Sequence, residues 1–320
     1  MKFSSKKYNF IVAFMLVLIS LVFLISTYFV EIPASADDNP DLDIQKPVEI
    51  PLPDAGEEEL PPAQSVPTFN DGISAVMYGL DILNNSKQPY QYEFYNNTIS
   101  AGLVNVNAYE KLYRHKNHDL MMVWTNTEIK NLPINPESGN FFRFSYANGD
   151  SRYNRYVYDT NNYDLEKRTY TLSDSDKIST KGQPIKDYYI TDKTDIWGDF
   201  YLTINRNTAK VIYFEKQKDY YVVKLSVLTD KVKDDEYVQA YERNAMVDHV
   251  EFDYINLTFT ISKKTGRIAK IVREDKYNLV TNVLGGISLP CSSNATHLYT
   301  YMETEDIIKE KAKELGFNFD

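Results

Sequence analysis

VEFDYINLTFTIS at residues 250–262, then KKTG at 263–266 and RIAKIVRE at 267–274, is the stretch on which the fold turns. Its first part carries Phe252, Tyr254, Ile255, Leu257, Phe259 and Ile261, with Thr258 and Thr260 between them. Aromatic and β-branched residues in rough alternation describe a half-buried strand. The last part repeats the theme with Ile268, Ile271 and Val272. Lys263-Lys264-Thr265-Gly266 between them reads as a hairpin turn. An antiparallel hairpin is therefore the seed of the fold.

The neighbouring segments extend it. Toward the N-terminus, residues 208–216 and 220–228 pair across Gln217-Lys218-Asp219, and Asp234 or Asp235 caps a short helix carrying Tyr237, Ala240, Tyr241 and Met246. Toward the C-terminus come strands at 277–283 and near 297–302, separated by Gly285-Gly286, and a final helix over 303–315. The earlier part opens with a helix. Asp71 caps it, Ile73, Val76, Met77, Leu80 and Leu83 follow at helical spacing, and Asn84-Asn85-Ser86 ends it. Strand-like stretches then fall at 99–113, 120–129, 141–146, 151–159, 168–172 and 187–191. Pro133 and Pro136 mark a loop, Asn148-Gly149-Asp150 is a hairpin turn, and Trp197 sits in a linker. Hairpins with few helices predict an α+β fold: a curved antiparallel sheet with a leading helix and short packing helices. No repeat of 20–50 residues shows. Two loosely similar halves would divide near residue 184.

The first seventy residues say where the chain works. Lys2, Lys6 and Lys7 precede 21 uncharged residues, Phe10 to Val30. At about 1.5 Å per residue that run spans roughly 30 Å, a bilayer's hydrocarbon core. It has no polar stripe, unlike a soluble core helix. The lysines ahead of it place residues 1–9 in the cytoplasm and 31–320 outside. A competing reading is a signal peptide cleaved after Ala36, since Ala34-Ser35-Ala36 is a small-x-small site. The length of the run favours a retained anchor; either reading exports the rest.

Residues 31–70 read as an acidic, proline-rich linker. Residues 37–70 hold seven prolines, nine acidic side chains and one lysine. Such a segment is extended and solvated. The chain's net charge is −10; residues 1–36 contribute +2 and 37–70 contribute −8, which leaves −4 on 71–320. The exported domain is nearly balanced and shows no basic patch, which excludes nucleic acid as an expected partner. It holds most of the 26 tyrosines, which favour pleated surfaces. One cysteine, Cys291, cannot close a disulfide within the chain.

The stretch over residues 188–277 resembles a layout found in uncharacterised, membrane-anchored exported proteins of Gram-positive bacteria. The residues that carry it are Tyr220-Tyr221-Val222-Val223-Lys224-Leu225, the helix with Tyr237, Tyr241 and Met246, and the 250–261 strand with its turn closing on Gly266. That resemblance implies no particular chemistry. A leading helix followed by long antiparallel strands is also similar to the half-barrels of bacterial lipoprotein carriers, an analogy of fold alone.

Motifs for chemistry are absent: the chain has no GxGxxG, P-loop, GxSxG or HExxH. Cys291 and His297 could form a nucleophilic dyad only if brought together, and Cys291 reads instead as a buried small hydrophobe in a Ser-rich stretch. His115 and His118, with Asp119 adjacent, would make a zinc site on a helix. Their setting reads as a polar turn with surface histidines. Asp174 and Asp176 lack the glycine and glutamate of a calcium loop. Asp234, Asp235 and Glu236 read as a helix N-terminus, where carboxylates are favoured. Asn-x-Ser/Thr sequons stand at Asn84, Asn96, Asn256 and Asn294.

These observations predict a membrane-tethered extracytoplasmic binding, interaction or sensor domain that is not an enzyme. No catalytic, cofactor or metal residues are assigned. Its partners would be the bilayer, through residues 10–30, and a membrane or envelope component. A half-barrel carrier of lipid or another hydrophobic ligand is the alternative. An envelope glycan hydrolase is the third, because paired carboxylates are a spatial fact.

Overall fold

The computed structural model describes residues 66–115, 120–131, 139–148, 151–157, 200–235, 247–281 and 287–314, with short pieces at 163–164, 169–170, 177–178, 183–184, 237–239 and 242; over 123–129 and 139–184 it describes the backbone. The basic head, the apolar run, the linker up to residue 65, the 187–191 strand, Trp197 and Gly285-Gly286 lie outside these residues. Among the described residues no helix is long and apolar enough to cross a membrane.

The order along the chain is α1 (Gly72–Asn85), β1 (Tyr90–Ser100), β2 (Val104–His115), β3 (Leu120–Lys130), β4 (Gly139–Asn148), β5 (Ser151–Val157), the two-residue strands β6 (Tyr163–Asp164), β7 (Thr169–Tyr170), β8 (Lys177–Ile178) and β9 (Gln183–Pro184), β10 (Ala209–Lys216), β11 (Tyr220–Val227), α2 (Thr229–Val232), β12 (His249–Ser262), β13 (Ile268–Thr281), β14 (Ile287–Tyr301) and α3 (Glu305–Glu314). The expected α+β class with an antiparallel sheet is what the structure shows. Twelve strands form one sheet in the order β10-β11-β12-β13-β14-β1-β2-β3-β4-β5-β8, with β9 also on β5; β6 and β7 pair separately. Two antiparallel meanders thus meet at one seam. There β14 pairs with β1 from Tyr90↔Tyr301 to Ser100↔Cys291.

The seed hairpin is as expected, β12 against β13, and Gly266 closes its turn at φ 71. A Cβ there would overlap the Tyr78 ring, so backbone freedom and close approach both require glycine. Three boundaries differ from expectation. The predicted strand at 99–113 is the end of β1, a turn and β2. Ala101 (φ 51) and Gly102 (φ 68) take left-handed backbone in that turn, which matches hairpin twist. The predicted strands at 267–274 and 277–283 are one strand, β13, because Asp275 and Lys276 continue the ladder instead of turning. The predicted strand at 297–302 begins ten residues earlier, at Ile287. Pro290 is tolerated inside β14 because its backbone faces β1 just past the end of that strand, where its carbonyl accepts the Ala101 N–H at 2.7 Å.

α1 starts where Asp71 Oδ1 accepts the Ser74 N–H at 2.9 Å. That bond, with the Ser74 hydroxyl and Arg206, holds the Asp71 carboxyl below its ordinary range. Ile73, Val76, Leu80 and Leu83 form its buried face. Gly72 and Gly79 let the helix lie close on the sheet: added Cβ atoms would meet Val223 at 2.7 Å and Ile268 at 2.9 Å. Phe69 is packed as well, edge-on to Tyr221 at 5.6 Å. The core fills the face under α1 with Tyr221, Val223, Leu225, Leu257, Phe259, Ile261 and Ile271, joined by Phe200 and Tyr299.

Candidate functional site

Register settles which side chains share a face. Opposed residues on neighbouring strands point the same way, and alternate residues on one strand point oppositely. Cys291, Ser293, Ala295, His297 and Tyr299 of β14 therefore face the covered side, with Tyr277, Asp275, Arg273 and Ile271 of β13 beside them. Ser292, Asn294 and Thr296 face the other side.

The covered side holds a charged pair within the core. Arg273 and Asp275 are each 3% exposed, and Arg273 Nε lies 3.1 Å from Asp275 Oδ2. The guanidinium also hydrogen-bonds the Tyr237 hydroxyl and lies 5.9 Å from that ring's centroid. Ala295, directly opposite Arg273, leaves room for it. The capped segment at 235–239 supplies Tyr237: Asp235 Oδ1 accepts its N–H at 2.9 Å. The acidic cluster there is a helix start, as the sequence predicts for Asp235; Glu236 lies outside the described residues. In the row next to Arg273, His297 is fully buried. Its Nδ1 shares a 2.9 Å hydrogen bond with the Tyr92 hydroxyl, and Phe94 and Phe200 flank the ring at 5.0 and 5.8 Å. Burial, then the Arg273 charge, holds its pKa well below the ordinary imidazole value. The ring is neutral at physiological pH, and Nε2 makes no hydrogen bond among the described residues.

Cys291 does not meet His297. Both project from one face of β14 six residues apart, about 20 Å along an extended strand. The Cys291 thiol lies 3.3 Å from Ser100 Oγ, and burial pushes its pKa up to about 11. Such a thiol is a poor nucleophile. The Ser-rich stretch around it is strand interior, with Ser292 and Asn294 on its solvent side and Cys291 buried as the sequence predicts.

His115 is a second correction. It ends β2 at 5% exposure and is no surface histidine. Its Nε2 lies 3.2 Å from Glu303 Oε1. His118 and Asp119 lie outside the described residues, as do Asp174 and Asp176. Ligand atoms of His115, Glu303 and Glu305 fall within 4.8 Å of one another. The same Glu303 Oε1 accepts the N–H groups of Thr304 at 2.9 Å and Glu305 at 3.0 Å. These backbone bonds, the larger contribution coming from Glu305, hold its carboxyl below the ordinary range. A carboxylate engaged by a helix N-terminus is a cap, and the helix dipole there repels a cation. The cluster fastens α3 to β2.

The uncovered side carries the arrangement that strand chemistry does not explain. One row crosses five strands directly opposite one another: Asn256 on β12, Glu274 on β13, Asn294 on β14, Asn97 on β1 and Asn107 on β2. Asparagine is depleted in strands. Asn97 and Asn294 are exposed. Asn97 Nδ2 donates to Asn107 Oδ1 at 2.6 Å and to Asn105 Oδ1 at 3.1 Å. The next row holds Thr258, Val272, Thr296, Tyr95 and Tyr109. The two tyrosine rings lie 4.9 Å apart at 50°. Three lysines around these rows are paired with carboxylates: Lys224 with Glu274 at 3.3 Å, Lys276 with Asp253 at 3.1 Å, Lys111 with Glu93 at 3.5 Å. Lys210, in line with Asn256 through Ser226, and Lys270, in line with Glu93 and Lys111, lie on the same face. The only hint of this row in the sequence is that three of four sequons, Asn96, Asn256 and Asn294, lie in strands.

No protein-family model matches the sequence, and no curated protein matches it. A LolA superfamily protein from Nitrosomonas europaea overlays this chain with a TM-score of 0.25 at 8% identity, over 73% of this chain and 95% of that one.

Proposed function

We propose that the chain is a membrane-tethered extracytoplasmic domain that binds a ligand and does not transform it. The observation that carries this is the division of labour between the two sides of the sheet. One side is filled by core and closed by α1. The other is left to solvent across its central strands and bears uncharged amides, hydroxyls and tyrosines. A rigid scaffold with a broad polar face suits recognition. Of the titratable groups on the covered side, Arg273, Asp275, His297 and Cys291 are bound to one another or to core side chains. On this reading the chain belongs with the anchored, exported proteins that its 188–277 stretch resembles.

A half-barrel carrier is the second reading. It draws on α1 lying across the covered side of a curved sheet. Its ligand would need the space that Tyr90, Tyr92, Tyr299, Phe200 and Phe259 fill, each fully buried.

Protease added to intact cells tests the placement. Loss of the domain, with an N-terminal fragment retained in the membrane, is the expected result. A domain that is protected until the cells are lysed would overturn the tethered extracytoplasmic reading.

A further inference from the structure

We infer that the uncovered row Asn256–Asn294–Asn97–Asn107, with Tyr95 and Tyr109 beside it, is a binding platform for a neutral glycan chain. The inference rests on the binding reading above and names the class of ligand.

Four observations support it. First, the row runs against local preference. Asparagine lacks the β-branched or aromatic bulk that strands favour, yet four strands place one at the same level. A solvent face needing only solubility and pairing is better served by threonine, as Thr258 and Thr296 show in the adjacent row. Second, the chemistry matches polyhydroxylated sugar. A side-chain amide carries a donor pair and an acceptor, and adjacent hydroxyls of a pyranose ring present the complementary set. Asn97 Nδ2 already donates to Asn107 and Asn105, which leaves its Oδ1 to accept from a sugar hydroxyl. Third, aromatic faces stand beside the amides. Rows on one face lie about 7 Å apart, so a ring held by the Asn row reaches the Tyr95–Tyr109 pair, whose planes offer apolar contact to the C–H face of a sugar. Fourth, the charge pattern selects among ligands. Lys224, Lys276 and Lys111 are each paired with a carboxylate on this face. A polyanion drawn to these three lysines would have to break those pairs and would meet Glu274 within the row itself; an uncharged chain would not.

The geometry also sets the form of the ligand. Strands repeat at about 4.8 Å, so the row from β12 to β2 extends roughly 19 Å with one side chain per strand. A pyranose unit in an extended polymer is of similar length, so successive rings would meet successive strands. The row is open to solvent at Asn97 and Asn294, and fits a polymer lying across the strands better than a small molecule that must be enclosed.

The test uses the full chain in detergent micelles. The probes are a panel of neutral hexasaccharides (cello-, chito- and malto-series) with heparin as the polyanion. Binding is read by calorimetry, and hydroxyl-radical footprinting reports on Tyr95 and Tyr109. We expect at least one neutral hexasaccharide to bind with Kd of 1 mM or tighter, about −4 kcal/mol. The double variant Asn97→Ala/Asn294→Ala should weaken that binding at least about tenfold, equivalent to about 1.4 kcal/mol. The ligand should protect both tyrosines in the unaltered chain, a readout independent of any variant's folding. Lack of binding to every neutral hexasaccharide overturns the inference, and so does a preference for heparin. Glycan binding that leaves the tyrosines unprotected and ignores the double variant overturns this platform, while leaving the general binding reading intact. The protease experiment reports placement alone, so the two failures are distinguishable.

Discussion

β14 makes two opposite environments from one strand. On one side His297 and Ala295 sit at 0% exposure, within a core that also holds the Arg273–Asp275 pair. On the other, Asn294 and Ser292 lie open to water. The covered side carries polar groups within its core, and the Arg273 and Asp275 charges answer one another. The uncovered side uses uncharged amides where threonine or lysine would serve solubility as well. The difference teaches that polarity inside this sheet is paired within the fold, whereas polarity outside it faces solvent.

The comparison breaks most readily at Arg273. Arg273→Ala leaves Asp275 buried without its cation, so stability should fall by about 3–5 kcal/mol. Urea denaturation followed by circular dichroism reads it. Replacing both, as Arg273→Met/Asp275→Leu, should cost far less, because no uncompensated charge remains. Equal losses in the two variants would show that the pair is not what makes Arg273 matter.

His297 gives the next effect. The folded state holds its pKa below the unfolded value near 6.5. The folded state therefore binds fewer protons than the unfolded state in acid. Stability is fully present above about pH 6.5 and is lost as pH falls toward the folded value, at up to about 1.4 kcal/mol per pH unit. Denaturation midpoints from pH 7.5 downward should decline more steeply for the unaltered chain than for His297→Phe. Parallel curves would mean the imidazole gains its proton in the folded core.

The smallest effect belongs to the uncovered side. Asn97→Thr and Asn294→Thr should leave stability unchanged or raise it, within about 1 kcal/mol. A loss beyond that in thermal melts would make the Asn row structural and erase the contrast between the two sides. Between these lies Glu303→Gln. It weakens the cap of α3 and its contact with His115, with an expected loss of about 1 kcal/mol.

Much of this was legible from residues alone. The helix from Gly72 follows from Asp71 and the spacing of Ile73, Val76, Leu80 and Leu83. The hairpin at Gly266 follows from its composition. Boundaries were less legible where polar residues continue a ladder. Asp275-Lys276 reads as a break but is mid-strand, because Asp275 meets Arg273 and Lys276 meets Asp253. The stretch 90–98 reads as nothing in particular, because its Asn96-Asn97 pair argues against a strand. His115 reads as exposed because Glu303, its partner, is far along the chain.

The sequence by itself determined the type of most long elements, β1 and the first half of β14 excepted, and the apolar faces, since period-two alternation, caps and turn residues act over a few neighbours. Only the tertiary structure decided that β14 closes against β1. That pairing joins residues some two hundred positions apart, and no local preference encodes it. From that seam follow both the enclosure of His297 beside Tyr92 and the alignment of Asn294 with Asn97. Register is a property of two strands in contact, and neither strand carries it alone.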